Sequence, residues 1–249
     1  MSANSTKEKW SRPKSAPVPT VWRRFTGLKK MEDGTIPKFR IQDVPDDMHE
    51  DVIEFMTKHF FRDEVTCECL HLLEDEVSMR EFQDVYREIL TEHVALVAFL
   101  DDDNEPGVKP KIAGCNLTAA AHRSEKFKGR VMRTVMRDLY EDIGKAVNVY
   151  DIFGVDEYMT ALGLCVDPIY RGQGLGLEIL KARTELGKAI GLSVTMTVFT
   201  AVSSQILAAR VGMEVLKEID YEEFKEPDGT PAYPNIKCKS LKVMAKRLY

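Results

Sequence analysis

The chain has 249 residues, of which 44% are hydrophobic and 30% are charged, a composition that fits one well-filled domain with a tail. No stretch approaches the roughly 18 uninterrupted apolar residues of a membrane-spanning helix, and the first residues lack the pattern of a signal peptide. The formal net charge of −5 does not indicate nucleic-acid binding. We therefore expect a monomeric, cytoplasmic protein without membrane or nucleic-acid partners.

Charge and cysteine distribution refine this outline. Residues 1–40 contain ten Lys or Arg and three acidic residues, and several prolines interrupt them. Residues 1–36 are therefore expected to form a flexible basic tail ahead of a domain at 37–249. The five cysteines include no C-x-x-C pair, and the five histidines show no metal-ligand spacing, so no metal site is expected. The thiols are expected to be reduced.

Periodicity in the first half of the chain predicts a strand, two amphipathic helices and a hairpin. Asp47 can cap the first helix, and Ser78 begins the second, in capping-box spacing with Glu81. An acidic stretch that ends in Pro-Gly is typical of a hairpin turn. In chain order the elements are a strand at 39–45, helices at 47–61 and 78–92, a strand at 93–100, the turn at 101–107 and a strand at 112–119.

The second half of the chain alternates between helical and strand patterns. Gly212 follows the last predicted helix and suits its C-terminal end. Long helical stretches between strands are typical of a mixed α/β domain with one dominant sheet. In chain order the elements are a helix at 125–151, a strand at 158–166, a glycine-rich loop, a helix at 174–190, a strand at 193–199, a helix at 203–211, and strands at 213–221 and 240–248.

The glycine-rich loop is the most informative stretch of the sequence. It reads Arg171-Gly-Gln-Gly-Leu-Gly176 and joins an apolar strand to a long amphipathic helix. Glycine allows a backbone to lie against a bulky anion, and a helix N-terminus adds free amides and a positive dipole. The Lys-Ser or Lys-Thr of a P-loop and the G-x-G-x-x-G of a dinucleotide site are both missing. A tight turn without a ligand is the alternative that the residues leave open.

The loop resembles the R/Q-x-x-G-x-G/A loop of the GCN5-related N-acetyltransferases, and the order of predicted elements is similar to theirs from about residue 37 onward. The resemblance implies that the loop binds the pyrophosphate of coenzyme A and that acetyl-CoA is the cofactor. It also implies a central mixed, mostly antiparallel sheet that is splayed at the cofactor site and flanked by helices. The cofactor-binding residues expected from it are Leu164, Cys165, Val166, Arg171, Gly172, Gln173, Gly174, Leu175, Gly176 and Ser204.

A second motif, Phe60-Phe-Arg-Asp-Glu64, resembles the F-F-x-D-E-P-L signature of the insect arylalkylamine N-acetyltransferases. Glu64 matches the glutamate that those enzymes use as general base, although Val65 and Thr66 replace the usual Pro and Leu. Without the resemblance, an exposed surface acid is the more frequent role of a glutamate.

The segment from Phe199 to Ser204 is similar to a C-T-x-x-x-S segment of the insect enzymes. The resemblance implies that Thr200 and Ser204 assist deprotonation or bind the cofactor, while helix capping by Thr200 or Ser203 is the alternative. Many members of the superfamily carry a tyrosine general acid where this chain has Ala208, so a tyrosine acid is not expected there.

These resemblances imply direct transfer of acetyl from acetyl-CoA to a small primary amine, with Glu64 as base. The implied substrates are arylalkylamines such as dopamine, tyramine, octopamine or serotonin. Acidic residues at 68, 74, 75 and 76 favour agmatine or a polyamine as the alternative. A non-catalytic acyl-CoA-binding module and a protein acetyltransferase are the remaining rivals.

Overall fold

The computed structural model describes residues 10–101, 108–124 and 143–249. Its strands are β1 (Val21–Thr26), β2 (Lys38–Asp43), β3 (Leu96–Leu100), β4 (Ile112–His122), β5 (Glu157–Val166), β6 (Val194–Phe199), β7 (Glu214–Asp220) and β8 (Ser240–Arg247). They form one sheet in the order β1-β2-β3-β4-β5-β6-β8-β7. Neighbours are antiparallel except for β5 and β6, which run parallel. The predicted mixed, mostly antiparallel sheet is confirmed.

Helices cover both faces of this sheet. They are α1 (His49–Phe55), α2 (Phe61–Asp63), α3 (Val65–Cys69), α4 (Glu76–Leu90), α5 (Ile143–Ala146), α6 (Val149–Phe153), α7 (Leu175–Ala189) and α8 (Val202–Arg210). A π-helical turn at Met56–Phe60 joins α1 to α2, so the predicted first helix is one continuous unit with a widened turn.

Strand β3 explains why helices are needed on both sides. Its residues are buried except for the partly exposed Leu100 at the end, and alternate side chains of a strand point to opposite faces. Val97 and Phe99 pack with residues of α1 and α4, whereas Leu96 and Ala98 pack with residues of α7. A strand that is apolar on both faces is stable only when both are covered.

The sheet opens between β5 and β6. These two strands pair at a single position, where Met159 of β5 lies opposite Thr195 of β6. Beyond this position the strands separate toward their C-terminal ends. Arg183 of α7 is buried at the opening, and its Nη2 donates to the carbonyl oxygens of Met159 (3.3 Å) and Met196 (3.2 Å) and to Thr197 Oγ1 (2.7 Å). Burial lowers the pKa of Arg183 to about 9. This guanidinium satisfies carbonyl groups near the point where the two strands part.

The N-terminal segment differs from the predicted flexible tail. Val21–Thr26 forms an edge strand on β2, and Arg12 makes an ion pair with the fully buried carboxylate of Asp43. That carboxylate also accepts hydrogen bonds from Trp22 Nε1 (2.9 Å) and the backbone of Thr20 (2.8 Å). A buried carboxylate requires such donors, so this segment is fastened to the sheet. The folded domain therefore begins well before the predicted boundary; the first nine residues lie outside the described part.

Two predicted elements also fall largely outside the described residues, namely the hairpin turn and most of the helix at 125–151. The described end of that helical stretch contains α5 and α6, and α6 ends at Gly154 in the left-handed conformation (φ +68°), as expected for a glycine after a helix. No helix in the described ranges combines the length and the apolar composition that crossing a bilayer requires.

Candidate active site

A cavity of about 740 Å³ lies where β5 and β6 separate. Its walls come from these two strands, the glycine loop, the first turns of α7 and α8, and the segment around Glu64. The predicted site residues that line it are Glu64, Leu164, Cys165, Val166, Arg171, Gly172, Gly174, Leu175, Gly176, Thr200 and Ser204. The structure thus brings segments that are remote in the sequence to one cavity, and Gln173 is the exception among the predicted residues.

The glycine loop has the backbone geometry of an anion cradle. Gly172 and Gly174 have φ angles of +80° and +83°, which residues with a Cβ rarely adopt. Gly174 is the N-cap of α7, a helix of 15 residues, and the first amides of a helix have no partner within it. Because the first turn of α7 lines the cavity, these amides and the helix dipole favour a bound anion there.

Gln173, which was predicted to bind the cofactor, is not among the residues that line the cavity. The side chain is only 3% exposed and turns toward the N-terminal segment. Its Oε1 accepts a hydrogen bond from Lys29 N (2.8 Å), and its Nε2 donates to the Lys29 carbonyl oxygen (3.0 Å). Motif spacing indicates which residues share a loop, but it does not indicate which way each side chain points.

Arg171 connects the glycine loop to the Phe-Phe-Arg-Asp-Glu motif. Its Nη2 donates to Asp63 Oδ2, and its Nε donates to the carbonyl oxygen of Val166 (3.2 Å). Hydrogen bonds from Arg62 and from Arg171 lower the pKa of Asp63 to about 2, as expected for a carboxylate between two cations. The two motifs found in the sequence are therefore in direct contact.

Glu64 both caps a helix and lines the cavity. It is the N-cap of α3, where Oε2 accepts hydrogen bonds from Thr66 N (3.0 Å), Thr66 Oγ1 (2.5 Å) and Cys67 N (2.8 Å). Its other oxygen, Oε1, accepts a hydrogen bond from Thr200 Oγ1 (2.5 Å). The carboxylate is thus fixed by α3 on one side and by the segment after β6 on the other, and it lines the cavity.

Thr200 is held in place by a tyrosine that the sequence did not single out. The hydroxyl of Tyr221 donates to the Thr200 carbonyl oxygen (3.0 Å). Burial raises the pKa of Tyr221, so its phenol stays protonated and remains a donor. The position of the Thr200 hydroxyl on Glu64 therefore depends on Tyr221 as well.

Ser204 has a different environment from Thr200. Its hydroxyl donates to the Ala201 carbonyl oxygen (2.8 Å) in the first turn of α8, and it lines the cavity. The N-cap of α8 is Ala201, so neither Thr200 nor Ser203 occupies the capping position considered from the sequence. Ala208 is fully buried.

A β-bulge in β5 shapes the wall opposite α8. Strand β4 pairs with β5 on either side of an irregular position. At that position one residue of β4 lies opposite two residues of β5, Leu162 and Gly163. Tyr86 Oη donates to the Leu162 carbonyl oxygen (2.9 Å), and Asn116 Nδ2 donates to that of Gly163 (2.7 Å). These side chains replace ladder bonds that the bulge removes, and bulges redirect the backbone next to many active sites. The sequence signal available for this feature was Asn116, a polar residue in the middle of the largely apolar strand β4.

Comparison with known proteins gives matches among solved structures, while no protein-family model and no curated protein matches the sequence. A yellow fever mosquito (Aedes aegypti) protein named arylalkylamine N-acetyltransferase 7 is 34% identical, with a TM-score of 0.87 over 97% of this chain and 100% of that chain. Arylalkylamine N-acetyltransferase 2 of Aedes aegypti is 23% identical, with a TM-score of 0.74 over 85% of this chain and 99% of its own. The Drosophila melanogaster polyamine N-acetyltransferase is 17% identical, with a TM-score of 0.67 over 84% and 99%.

The splayed sheet with a glycine loop at the start of α7 defines the GCN5-related N-acetyltransferase class. The 34% identity over nearly the whole chain is more specific: the chain belongs to the insect arylalkylamine N-acetyltransferases. The predictions of the superfamily, the fold and an N-acetyltransferase enzyme are thereby confirmed. The roles of individual site residues stay predictions.

Proposed function

We propose that this enzyme transfers the acetyl group of acetyl-CoA directly to the primary amine of an arylalkylamine, with Glu64 as general base. The observation that carries the proposal is the position of Glu64 in the same cavity as the glycine loop. Two substrates held together in one cavity react without the entropic cost of a bimolecular encounter.

The two oxygens of Glu64 have different tasks in this proposal. Oε2 accepts three hydrogen bonds from residues of α3, which leaves it little capacity for a further partner. Oε1 accepts one hydrogen bond, from Thr200, and can accept another. We assign Oε1 as the atom that takes the proton from the substrate amine, directly or through one water molecule. Thr200 orients that oxygen.

The remaining groups bind the donor and stabilise charge. Acetyl-CoA supplies the acetyl group as a thioester, whose thiol is an adequate leaving group with a pKa of about 8.5. The loop from Arg171 to Gly176 and the start of α7 hold the pyrophosphate. Backbone amides of Leu164 and Val166 hold the cofactor arm and the oxygen that gains negative charge. Because Ala208 has no acidic hydrogen, the thiolate departs as the anion and takes its proton from solvent water.

The cavity lining supports an aromatic amine over a polycationic one. Phe60, Phe82, Tyr150 and Tyr158 are among the described lining residues, and aromatic rings favour contact with another ring. Within the described lining the carboxylates are Asp63, which already binds two arginines, and Glu64. A second ammonium group would thus lack a free carboxylate, which is costly. The acidic residues that favoured agmatine or a polyamine do not line the cavity; they are Glu68, Glu74, Asp75 and Glu76.

The test is the substitution Glu64→Gln, assayed by thiol release from acetyl-CoA with tyramine. Loss of the base should lower kcat by about 100-fold or more, while calorimetry shows unchanged binding of acetyl-CoA. Glu68→Gln is the matched control, because Glu68 is exposed, lies outside the cavity lining and binds Lys237. Full turnover by Glu64→Gln would refute the base assignment.

A substrate panel tests the other half of the proposal. Tyramine, dopamine, octopamine and serotonin should have higher kcat/KM values than agmatine and spermidine. The reverse ranking would refute the substrate class. Acetyl-CoA binding without thiol release for any of these amines would support the non-catalytic binding module instead.

A further inference from the structure

We propose that Lys29 forms a further phosphate-binding subsite of this enzyme, in which its ammonium group contacts a phosphate of bound acetyl-CoA. The inference rests on the proposed binding of the pyrophosphate by the glycine loop. It assigns a function to the N-terminal segment, which the sequence predicted to be a flexible tail.

The first argument is position. A Cβ added to Gly172 would lie 3.2 Å from Lys29 Nζ, and a Cβ added to Gly174 would lie 3.3 Å from Leu28 Cδ1. Leu28 also lines the cavity although its side chain is largely exposed. The N-terminal segment therefore crosses directly over the two left-handed glycines of the loop, and an anion bound there lies within reach of the Lys29 ammonium group.

The second argument is the way in which the segment is anchored. The buried side chain of Gln173 binds both the backbone N–H and the backbone C=O of Lys29. Gly27 N also donates to the Pro37 carbonyl oxygen (2.7 Å). Three hydrogen bonds thus fix the backbone on either side of the Lys29 side chain. A lysine on a fixed backbone loses less conformational entropy on binding than one on a free tail.

The third argument is charge. Arg171, the cation of the loop itself, already donates to Asp63. Among the described residues Lys29 has no carboxylate within ion-pair distance, and its side chain is exposed. Lys29 therefore presents an uncompensated positive charge beside the loop, and a lysine ammonium is a common point-charge partner for phosphate.

The experiment compares Lys29→Ala with the wild-type enzyme, using calorimetry and steady-state kinetics. The dissociation constant for acetyl-CoA should rise about tenfold, because one charge-assisted hydrogen bond is lost, while kcat at saturation is unchanged. Acetylpantetheine, which has the thioester arm but no phosphodiester or nucleotide, should bind both proteins equally. Lys30→Ala, at the adjacent exposed lysine, should match the wild type, and Lys29→Arg should retain most of the affinity.

Further arms separate the phosphates and the role of Gln173. If acetyl-dephospho-CoA shows the same tenfold loss with Lys29→Ala, the contact is to the pyrophosphate; if the loss disappears, the contact is to the 3′-phosphate. Gln173→Ala should weaken acetyl-CoA binding in the wild type but add little to Lys29→Ala, because Gln173 acts by positioning Lys29. Additive losses would contradict that positioning role.

The outcome that overturns the subsite is equal acetyl-CoA affinity in Lys29→Ala and Lys30→Ala. A failure of the proposed pyrophosphate loop would look different. The wild-type enzyme would then bind acetyl-CoA no more tightly than acetylpantetheine, so the two failures can be distinguished.

Discussion

The two walls of the cavity are built in different ways. The wall assigned to the cofactor is one continuous stretch from residues 164–166 at the end of β5 through the glycine loop into α7. The wall assigned to the base is assembled from remote segments: Glu64 at the N-cap of α3, Thr200 directly after β6, and the bulge of β5, which Tyr86 and Asn116 support. Local backbone rules are sufficient for the first wall, whereas the second depends on individual tertiary contacts. Small changes in the second wall should therefore disturb activity more.

Among substitutions that change the support of the base wall, the largest effect should come from Gly163→Ala in the bulge. The φ angle of Gly163 is +135°, and an added Cβ would lie 2.5 Å from Met56 Cε and 3.2 Å from the Phe60 ring. We expect a loss of about 1–3 kcal/mol in the free energy of unfolding. We also expect kcat/KM to fall by about 100-fold, since misplacement of reacting groups by about 1 Å has an effect of that size.

Gly154→Ala is the control for this prediction. Gly154 has φ +68°, and nothing lies within 4 Å of an added Cβ, so the substitution adds backbone strain away from the cavity. It should lose about 1 kcal/mol of stability and keep its kcat/KM. Urea unfolding and thiol-release kinetics measure both quantities. Equal activities in the two variants would show that the bulge does not govern the base wall.

The same contrast explains how much of the fold could be predicted. Strands such as β3 and β5 and the long helix α7 have strong periodicity over enough residues to be recognised. Strand β1 was missed because Val21–Thr26 contains two adjacent arginines and is only partly buried. Its attachment depends on the contacts of Arg12, Thr20 and Trp22 with Asp43, and such contacts between separate segments leave no periodic pattern in a sequence.

The candidate site divides in the same way. The glycine loop and Glu64 were found because they belong to contiguous motifs. Tyr86 lies within the helix predicted at 78–92, and nothing local in the sequence indicates that its hydroxyl reaches the Leu162 carbonyl oxygen. Tyr221 stands in a stretch predicted as a strand, and its contact with Thr200 depends on how β7 and β8 pair. Side-chain direction, as for Gln173, is equally a result of tertiary packing.

A smaller effect is expected for Tyr86→Phe. This substitution removes one of the two side-chain hydrogen bonds that support the bulge, and so tests whether the base wall depends on single tertiary contacts. The variant loses the hydrogen bond to the Leu162 carbonyl oxygen, so the free energy of unfolding should fall by about 1 kcal/mol and kcat by a few-fold. Tyr249→Phe is the matched control, because Tyr249 Oη also donates to a backbone carbonyl oxygen, that of Gly191 (2.9 Å), but at the surface. It should leave kcat unchanged and stability nearly so. A loss of stability in Tyr86→Phe without any loss of kcat would separate the bulge from catalysis.

The smallest effect concerns Asp63, whose bond to Arg171 joins the two walls. Ion pairing with Arg62 and Arg171 lowers the pKa of Asp63 from 3.8 to about 2. When the pKa of a carboxyl group is lower in the folded state than in the unfolded state, its ionisation stabilises the folded protein. This contribution is complete at pH values above the pKa of the unfolded state, and it is lost as the pH falls through the pKa of the folded state. Because the ion pairs are partly exposed, the wild type should exceed Asp63→Asn by less than about 1 kcal/mol at pH 7.

The pH dependence of that difference is the decisive measurement. Every other carboxyl group titrates alike in both proteins, so subtracting their unfolding free energies isolates Asp63. The difference should be constant from pH 8 to about pH 5 and should shrink to roughly half by pH 3. It should also shrink at neutral pH when about 1 M salt screens the pair. If the difference in unfolding free energy between the wild type and Asp63→Asn is the same at pH 7 and pH 3, the ionised Asp63 carboxylate does not join the two walls. Each wall would then keep its geometry without the bond between Asp63 and Arg171.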